Sequence, residues 1–201
     1  MGLTLNYIDG QSPLDEDEKA GLRIKTISIK TELDEYEQIN IQKAEEWTMT
    51  RREIKLDAIL SEQFIKSLHK RMFSDVWLWA GEFRKSDKNI GADKFQIGIE
   101  IKKLIDDCEY WIQNKSFSEE EIAIRYKHRL VWIHPFANGN GRHSRMMADI
   151  LIHHGFHKNR FTWGGGVLSA TGDEREKYLS AIRTADKTMN YQPLLEFALS
   201  I

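Results

Sequence analysis

Apolar residues recur at three- and four-residue intervals through most of this chain and alternate almost nowhere, which points to a mainly α-helical fold. Ile39, Ala44 and Trp47 mark one face of a charged helix running from Glu32 to Trp47, with Thr31 as its N-cap. Ser61 caps a second helix, in which Phe64, Ile65, Leu68, Met72 and Val76 face inward. A third runs from Glu100 to Gln113 with Leu104, Ile105, Cys108 and Trp111 on its stripe. Ser118 followed by Glu121 reads as a capping box for a fourth, ending near Trp132. A fifth should stop at Gly155, and the turn-rich run Trp163-Gly164-Gly165-Gly166 precedes a helix from Asp173 to Asp186 and a short one opened by Pro193. Phe83 to Ile97 breaks this pattern. There Asn89, Gly91 and Asp93 interrupt β-branched, aromatic and charged residues, which predicts a β-hairpin or an irregular flap.

The segment His134-Pro135-Phe136-Ala137-Asn138-Gly139-Asn140-Gly141-Arg142-His143-Ser144-Arg145 puts a candidate base, a glycine-rich turn and two arginines together. A glycine turn that opens a helix offers unpaired backbone N–H groups and the positive end of the helix dipole to an anion. Arg142 and Arg145, three residues apart on one helix, can face the same ligand. The sequence contains no Gly-x-x-x-x-Gly-Lys-(Ser/Thr), which argues against a P-loop fold. The histidines His153, His154 and His157 lack the spacing and partners of a zinc site and read as surface residues, and His143 reads as peripheral.

A chain of 201 residues fits one domain, or one domain with an arm, and can bury a substantial core. The net charge of −2 gives no reason to expect direct nucleic-acid binding. Cys108, the single cysteine, excludes an internal disulfide, and Met1 to Tyr7 lacks the basic and apolar pattern of a signal peptide. No stretch is apolar enough for a membrane span, so a cytoplasmic location is the expectation.

The motif resembles the signature of the Fic/Doc (Fido) family, His-Pro-Phe-x-(Asp/Glu)-Gly-Asn-Gly-Arg-x-x-Arg, at every defining position but one, where Asn138 replaces the acidic residue. Trp77-Leu78-Trp79-Ala80-Gly81-Glu82-Phe83-Arg84, the segment through Ile97, and Tyr178 to Phe197 resemble the family's flanking elements, and within the family the chain is similar to the subgroup called mobile mystery protein B. The resemblance implies a Fic-type helical bundle over residues 60–201 with a small β-hairpin flap, preceded by an N-terminal helical arm over 1–59 that could be regulatory. It implies a protein adenylyltransferase that moves AMP from ATP to a Ser, Thr or Tyr hydroxyl of a target protein, with Mg²⁺ or Mn²⁺ as cofactor. In this pattern His134 is the catalytic base, Gly139, Asn140, Gly141, Arg142 and Arg145 hold the phosphates, and Pro135 and Phe136 are structural. Asn138 would be a weak metal ligand, because magnesium prefers charged oxygen donors.

By the same resemblance, Arg84, Asn89, Ile90, Gly91 and Phe95 belong to a flap that docks the target chain by β-augmentation, and Tyr178 and Ile182 sit where the family forms an adenine pocket. Many members are inhibited by a glutamate in a (Ser/Thr)-x-x-x-Glu-(Gly/Asn) motif that pairs with the second motif arginine, here Arg145. The nearest match, Thr31 to Tyr36, is incomplete, which leaves Glu35 or Glu37 as the internal candidates, a solvated acidic helix face as the plainer reading, and a separate antitoxin-like protein as another source of inhibition. Asn138 also keeps open the transfer of another phosphate-containing group, or a non-catalytic module that binds nucleotide or a partner.

Overall fold

Helix α6 (Glu119–Ile133) is the most deeply packed element beside the site and buries Lys127 and His128 along with Ile122, Ile124, Tyr126, Leu130 and Ile133, leaving Trp132 exposed. The computed structural model describes residues 12–165 and 172–200; Met1 to Tyr7 and Gly166 lie outside the described residues. The remaining elements are α1 (Glu16–Ala20), α2 (Lys30–Met49), α3 (Leu56–Ile59), α4 (Glu62–Phe73), α5 (Ile97–Gln113), α7 (Asn140–Ile150), α8 (Asp173–Thr188) and α9 (Gln192–Leu199). Helix α6 packs between α5 and α7, α2 packs on α4, and α8 pairs with α9. No helix among the described residues is long and apolar enough to cross a membrane.

Local signals start the two helices that matter most for the site. The Ser61 hydroxyl accepts from the Phe64 N–H at 3.1 Å, and Ser118 accepts from Glu121 at 3.2 Å. Each satisfies one of the donors a helix start leaves open, and the three acids in the first turn of α6 complement its dipole. The Glu121 carboxylate does not complete a capping box; it pairs with Arg125 at 2.8 Å one turn on. Helix α4 turns Phe64, Ile65, Leu68, Met72 and Phe73 inward, and Val76, past its end, is buried too. Each such side chain contributes about 1.5–3 kcal/mol, and Leu68→Ala would cost about 2–5 kcal/mol. Helix α7 continues as a π-turn, Leu151–Gly155, and ends at the expected glycine.

Three expectations change. Helix α2 begins at Lys30 with Ile29 at the N-cap instead of Thr31, and the Glu32 carboxylate reaches back to the Ser28 N–H at 3.2 Å. Its buried face is Leu33, Glu37, Asn40, Ile41, Ala44 and Thr48, whereas Ile39 is 52% exposed. Ala44 is buried and Trp47 packs against the core as expected, but Ile39 does not, because two polar residues on the inward face find partners in the core. Asn40 bonds the Arg71 carbonyl at 2.8 Å and the Asp75 N–H at 2.9 Å. Helix α5 starts at Ile97, three residues before the expected Glu100.

The hairpin is the third difference. Residues 83–96 contain no strand, and an isolated bridge elsewhere joins Leu22 to Trp77. The segment's hydrogen bonds go elsewhere: Arg84 N–H to the Pro135 carbonyl at 2.9 Å, Ala92 N–H to Ile133 at 3.1 Å, and Phe95 N–H to the Asp93 side chain at 2.8 Å. It is an irregular flap fastened to the loop that follows α6.

Candidate active site

Two left-handed residues shape the loop between α6 and α7. His134 ends α6 at φ 55°, in a conformation that histidine adopts more readily than most side chains, and Pro135 prevents the helix from continuing. Gly139 precedes α7 at φ 78°, and a Cβ there would stand 2.4 Å from the Phe73 ring. Between them the Asn140 amide accepts from the Phe136 N–H at 2.9 Å and donates to the Phe136 carbonyl at 2.8 Å. The amide oxygen and one of the two amide hydrogens are thus engaged inside the loop, which holds its shape. Phe136 is fully buried and stacks on His69 at 3.7 Å between ring centroids. No side chain caps α7, so its first-turn N–H groups and positive dipole end remain available to an anion. At Gly141 a Cβ would meet nothing nearer than the Arg145 guanidinium at 4.0 Å, so packing does not demand glycine there and bare backbone leaves room for a ligand.

His69 underpins the loop. Its Nδ1 accepts from the Gly81 N–H at 3.0 Å and its Nε2 donates to the Asn138 carbonyl at 3.0 Å, a neutral ring bridging α4 to the motif. Burial above all, then His143, holds its pKa well below the usual value. The Asn138 side-chain oxygen accepts from the Gly139 N–H at 2.6 Å. That oxygen is neutral and already engaged, and among the described residues no group of three His, Cys, Asp or Glu side chains could hold a metal ion. The donor set does not fit a magnesium ion held by this chain.

The flap lies on His134. Gly91 packs so closely that a Cβ would stand 2.6 Å from the His134 Cβ. Arg84 is buried; its Nε donates to the His134 carbonyl at 2.7 Å, and its other nitrogens donate to Ser86 at 2.8 Å and to Ala92. It clamps the flap from inside, while Asn89, Ile90 and Phe95 are exposed on the outer edge. Burial, reinforced by the charges of Arg84 and Lys88 and partly offset by the Val131 backbone, lowers the His134 pKa to about 4. The ring is therefore neutral at physiological pH, as a proton acceptor must be. Its Nε2 lies 3.1 Å from the Ser12 hydroxyl, a contact across 122 positions that the sequence reading did not foresee.

The arginines have different surroundings. Arg142 forms a 2.6 Å ion pair with Glu37 of α2, whose other oxygen accepts from the Trp77 indole at 2.6 Å. Glu37 meets the first motif arginine, whereas Arg145, the expected partner, donates to the Tyr178 hydroxyl at 3.4 Å. Glu35 lines a cavity of about 890 Å³ between α2 and α7, together with Arg142, Arg145, Asp149, Arg160 and Trp163. Tyr178 is buried against Phe197, and the Lys127 ammonium lies 4.6 Å from its ring centroid. Burial alone would raise the Tyr178 pKa, but Lys127 and Arg145 outweigh it and bring it to about 8. Ile182, one turn on, is half-buried. Two histidines depart from their reading: His143 is buried and bonds the Ile65 carbonyl at 2.9 Å, and His154 is buried and bonds the Thr48 carbonyl at 3.0 Å.

Residues 59–152 match the Fic/DOC family. The chain is 32% identical over 92 residues to the protein adenylyltransferase Fic of Aedes aegypti; the matched stretch is 44% of this chain and 18% of that relative, so the chain spans under a fifth of the relative's length. Among solved structures it resembles the BepC protein of Bartonella tribocorum, a VirB-translocated effector crystallised with bound AMPPNP, with a TM-score of 0.70, 18% identity and coverage of 92% of this chain and 97% of that one. Fic-1 of C. elegans (aa134–508) superposes with a TM-score of 0.62 at 16% identity, covering 96% of this chain and 50% of that one. The helical bundle is that of the Fic fold, and residues 59–152 are a Fic/DOC family region of the chain.

Proposed function

We propose that this chain transfers AMP from ATP to a hydroxyl side chain of a target protein. The observation that carries the reading is a neutral His134 whose Nε2 already meets a hydroxyl at 3.1 Å, on the loop that opens the uncapped N-terminus of α7. Relatives named protein adenylyltransferases support the chemistry. The target oxygen attacks the α-phosphorus, the bond from that phosphorus to the bridging oxygen breaks, and pyrophosphate leaves. His134 Nε2 takes the hydroxyl proton. The α7 N–H groups and Gly141 hold the phosphates, and Arg142 and Arg145 neutralise charge at the pyrophosphate end. No step is routed through a protein-held metal, since Asn138 offers none of the charged oxygens such an ion prefers; a divalent ion would arrive with the nucleotide. The exposed edge of the flap, Asn89, Ile90 and Phe95, is the docking surface for the target chain.

The arm is the regulatory element in this reading. Glu37 holds Arg142 in the place where a phosphate oxygen would bind it, and α2 must release that contact for ATP to seat fully. Asn138 favours a second reading, a domain that binds nucleotide without turning it over. Incubation with α-labelled and γ-labelled ATP, beside His134→Ala, separates the two. Protein-bound label from the α position that disappears in the variant supports AMP transfer. Nucleotide binding with no label in either protein, and no effect of His134→Ala, would sink it.

A further inference from the structure

The buried hydroxyl at His134 belongs to the chain itself, and the way it is held resembles the holding of a substrate. Ser12 is buried, its Oγ 3.1 Å from the Nε2 that is placed to accept a proton. The residues that follow run along the flap. Lys88 of the flap donates to the Pro13 carbonyl at 2.9 Å and pairs with the Glu18 carboxylate. Ser86 donates to the same carboxylate at 2.7 Å, and the Trp79 indole donates to the Glu18 carbonyl at 2.9 Å. A capping box between Asp15 and Glu18, at 2.8 and 2.9 Å, keeps the turn after Ser12 in one shape. The segment is acidic at Asp15, Glu16, Asp17 and Glu18, and the flap facing it carries Arg84, Lys85 and Lys88. A residue with a buried hydroxyl, followed by an acidic turn and held by Lys88 and Ser86 of the flap, is a bound acceptor in outline.

The geometry points to Ser12 as an acceptor: the chain modifies itself there in cis, and this rests on the AMP-transfer reading above. In that step Ser12 Oγ forms a bond to the α-phosphorus of ATP, the bond to the bridging oxygen breaks, pyrophosphate carries away the electron pair, and the Ser12 proton passes to His134 Nε2. The product carries a phosphodiester between Ser12 and AMP. The acidic turn also indicates what an outside target needs, a hydroxyl followed within a few residues by carboxylates that meet Lys88 and Ser86.

The test uses the full chain with α-labelled ATP and Mg²⁺, alone and with a cell lysate, followed by peptide mapping of the labelled protein. Wild type, Ser12→Ala, Ser12→Thr, Lys88→Ala and His134→Ala run side by side. The expected result is AMP on the peptide containing Ser12, lost in Ser12→Ala, kept in Ser12→Thr, and reduced about 100-fold or more in His134→Ala. The rate per molecule should not change on dilution, as a cis reaction requires, and Lys88→Ala should slow both self-labelling and the labelling of lysate targets. Lysate labelling that persists in Ser12→Ala shows that this variant folds and works. Self-label at another residue, or lysate labelling by wild type with no self-label, overturns the assignment of Ser12 and leaves AMP transfer standing. Absence of label on both the chain and the lysate, in every protein, overturns both together.

Discussion

The loop of residues 134–142 and the arm that covers it are built by opposite means. The loop is local: Asn140 clasps Phe136, the Asn138 side chain accepts from the neighbouring Gly139 N–H, and a positive φ is carried by glycine where a Cβ would strike Phe73. The cover is long-range and charged. Ser12 meets His134, Glu37 meets Arg142, and Lys88 meets Glu18, contacts that bring together residues far apart in the chain. Local bonds with short loops close at little entropic cost and reform whenever the helices do, whereas each distant contact can be broken singly without undoing the fold. A fixed cradle under a releasable cover is the arrangement that the proposed regulation by the arm requires.

Acid should pull the two regions apart with the largest effect. Burial first of all lowers the pKa of His134 to about 4 and of His143 to about 3 and depresses that of His69, so the folded loop binds fewer protons than the unfolded chain below pH 6.5. Stability contributed by these neutral rings is lost as pH falls from about 6.5 toward 4, on the order of several kcal/mol at about 1.4 kcal/mol per unit. On the cavity side burial raises the Asp149 pKa to about 7, partly offset by the Trp163 indole at 3.1 Å, so its contribution runs the other way and is lost as pH rises from 3.8 toward 7. Asp149 offsets only one of the three rings, so urea midpoints in wild type should fall with acid and those of Asp149→Asn should fall more steeply. A flat profile for Asp149→Asn between pH 6.5 and 4.5 would mean that the loop histidines are not held neutral by the fold.

Gly139→Ala comes next. The backbone strain of a positive φ adds to a Cβ 2.4 Å from the Phe73 ring, and a loss of about 3 kcal/mol follows. Because the loop is the fixed partner in the comparison, this single methyl should lower the urea midpoint and abolish ATP binding together. Retained binding at wild-type affinity in a folded Gly139→Ala protein would show that the cradle tolerates movement.

The same contrast explains what could be read from the sequence. Ser61 and Ser118 announce their helices because a cap acts on a residue three positions away, and the glycine turn announces α7 for the same reason. The inward face of α2 was legible at Ala44 and Trp47 but not at its polar positions, because Glu37 and Asn40 look like surface residues until Trp77, Arg142, Arg71 and Asp75 are brought to them. The flap looked like a hairpin because its backbone partners lie across the chain, on Ile133 and Pro135, and not in itself. Of the site, His134, Gly139 and the two arginines were legible as a motif. Ser12, the Glu37 pairing and the Lys127–Tyr178 contact under Arg145 were not, since none has a local signature.

Glu37→Gln acts on the cover alone. The amide can still accept from the Trp77 indole, but Arg142 loses its charged partner at 2.6 Å. With the Arg142 side chain a quarter exposed, the stability loss should be only about 1–2 kcal/mol, while the freed guanidinium raises ATP affinity several-fold. Isothermal titration with ATP checks this, and unchanged affinity would remove Glu37 from regulation.

Tyr178→Phe should have the smallest effect and the most specific one. It deletes a 3.4 Å hydrogen bond to Arg145 and leaves the ring packed on Phe197, so stability should fall by no more than about 1 kcal/mol. What changes is the pH response. Lys127 and Arg145 hold the Tyr178 hydroxyl at a pKa of about 8 against the opposing pull of burial. Above that pH the phenolate binds Arg145 more tightly and competes with the nucleotide for it. ATP affinity in wild type should therefore weaken between pH 7 and 9, and in Tyr178→Phe it should stay level over that range. Parallel profiles would place Arg145 outside the influence of Tyr178 and reduce the contact to packing, which would leave Glu37 on Arg142 as the sole arginine of the pair under the control of the surrounding fold.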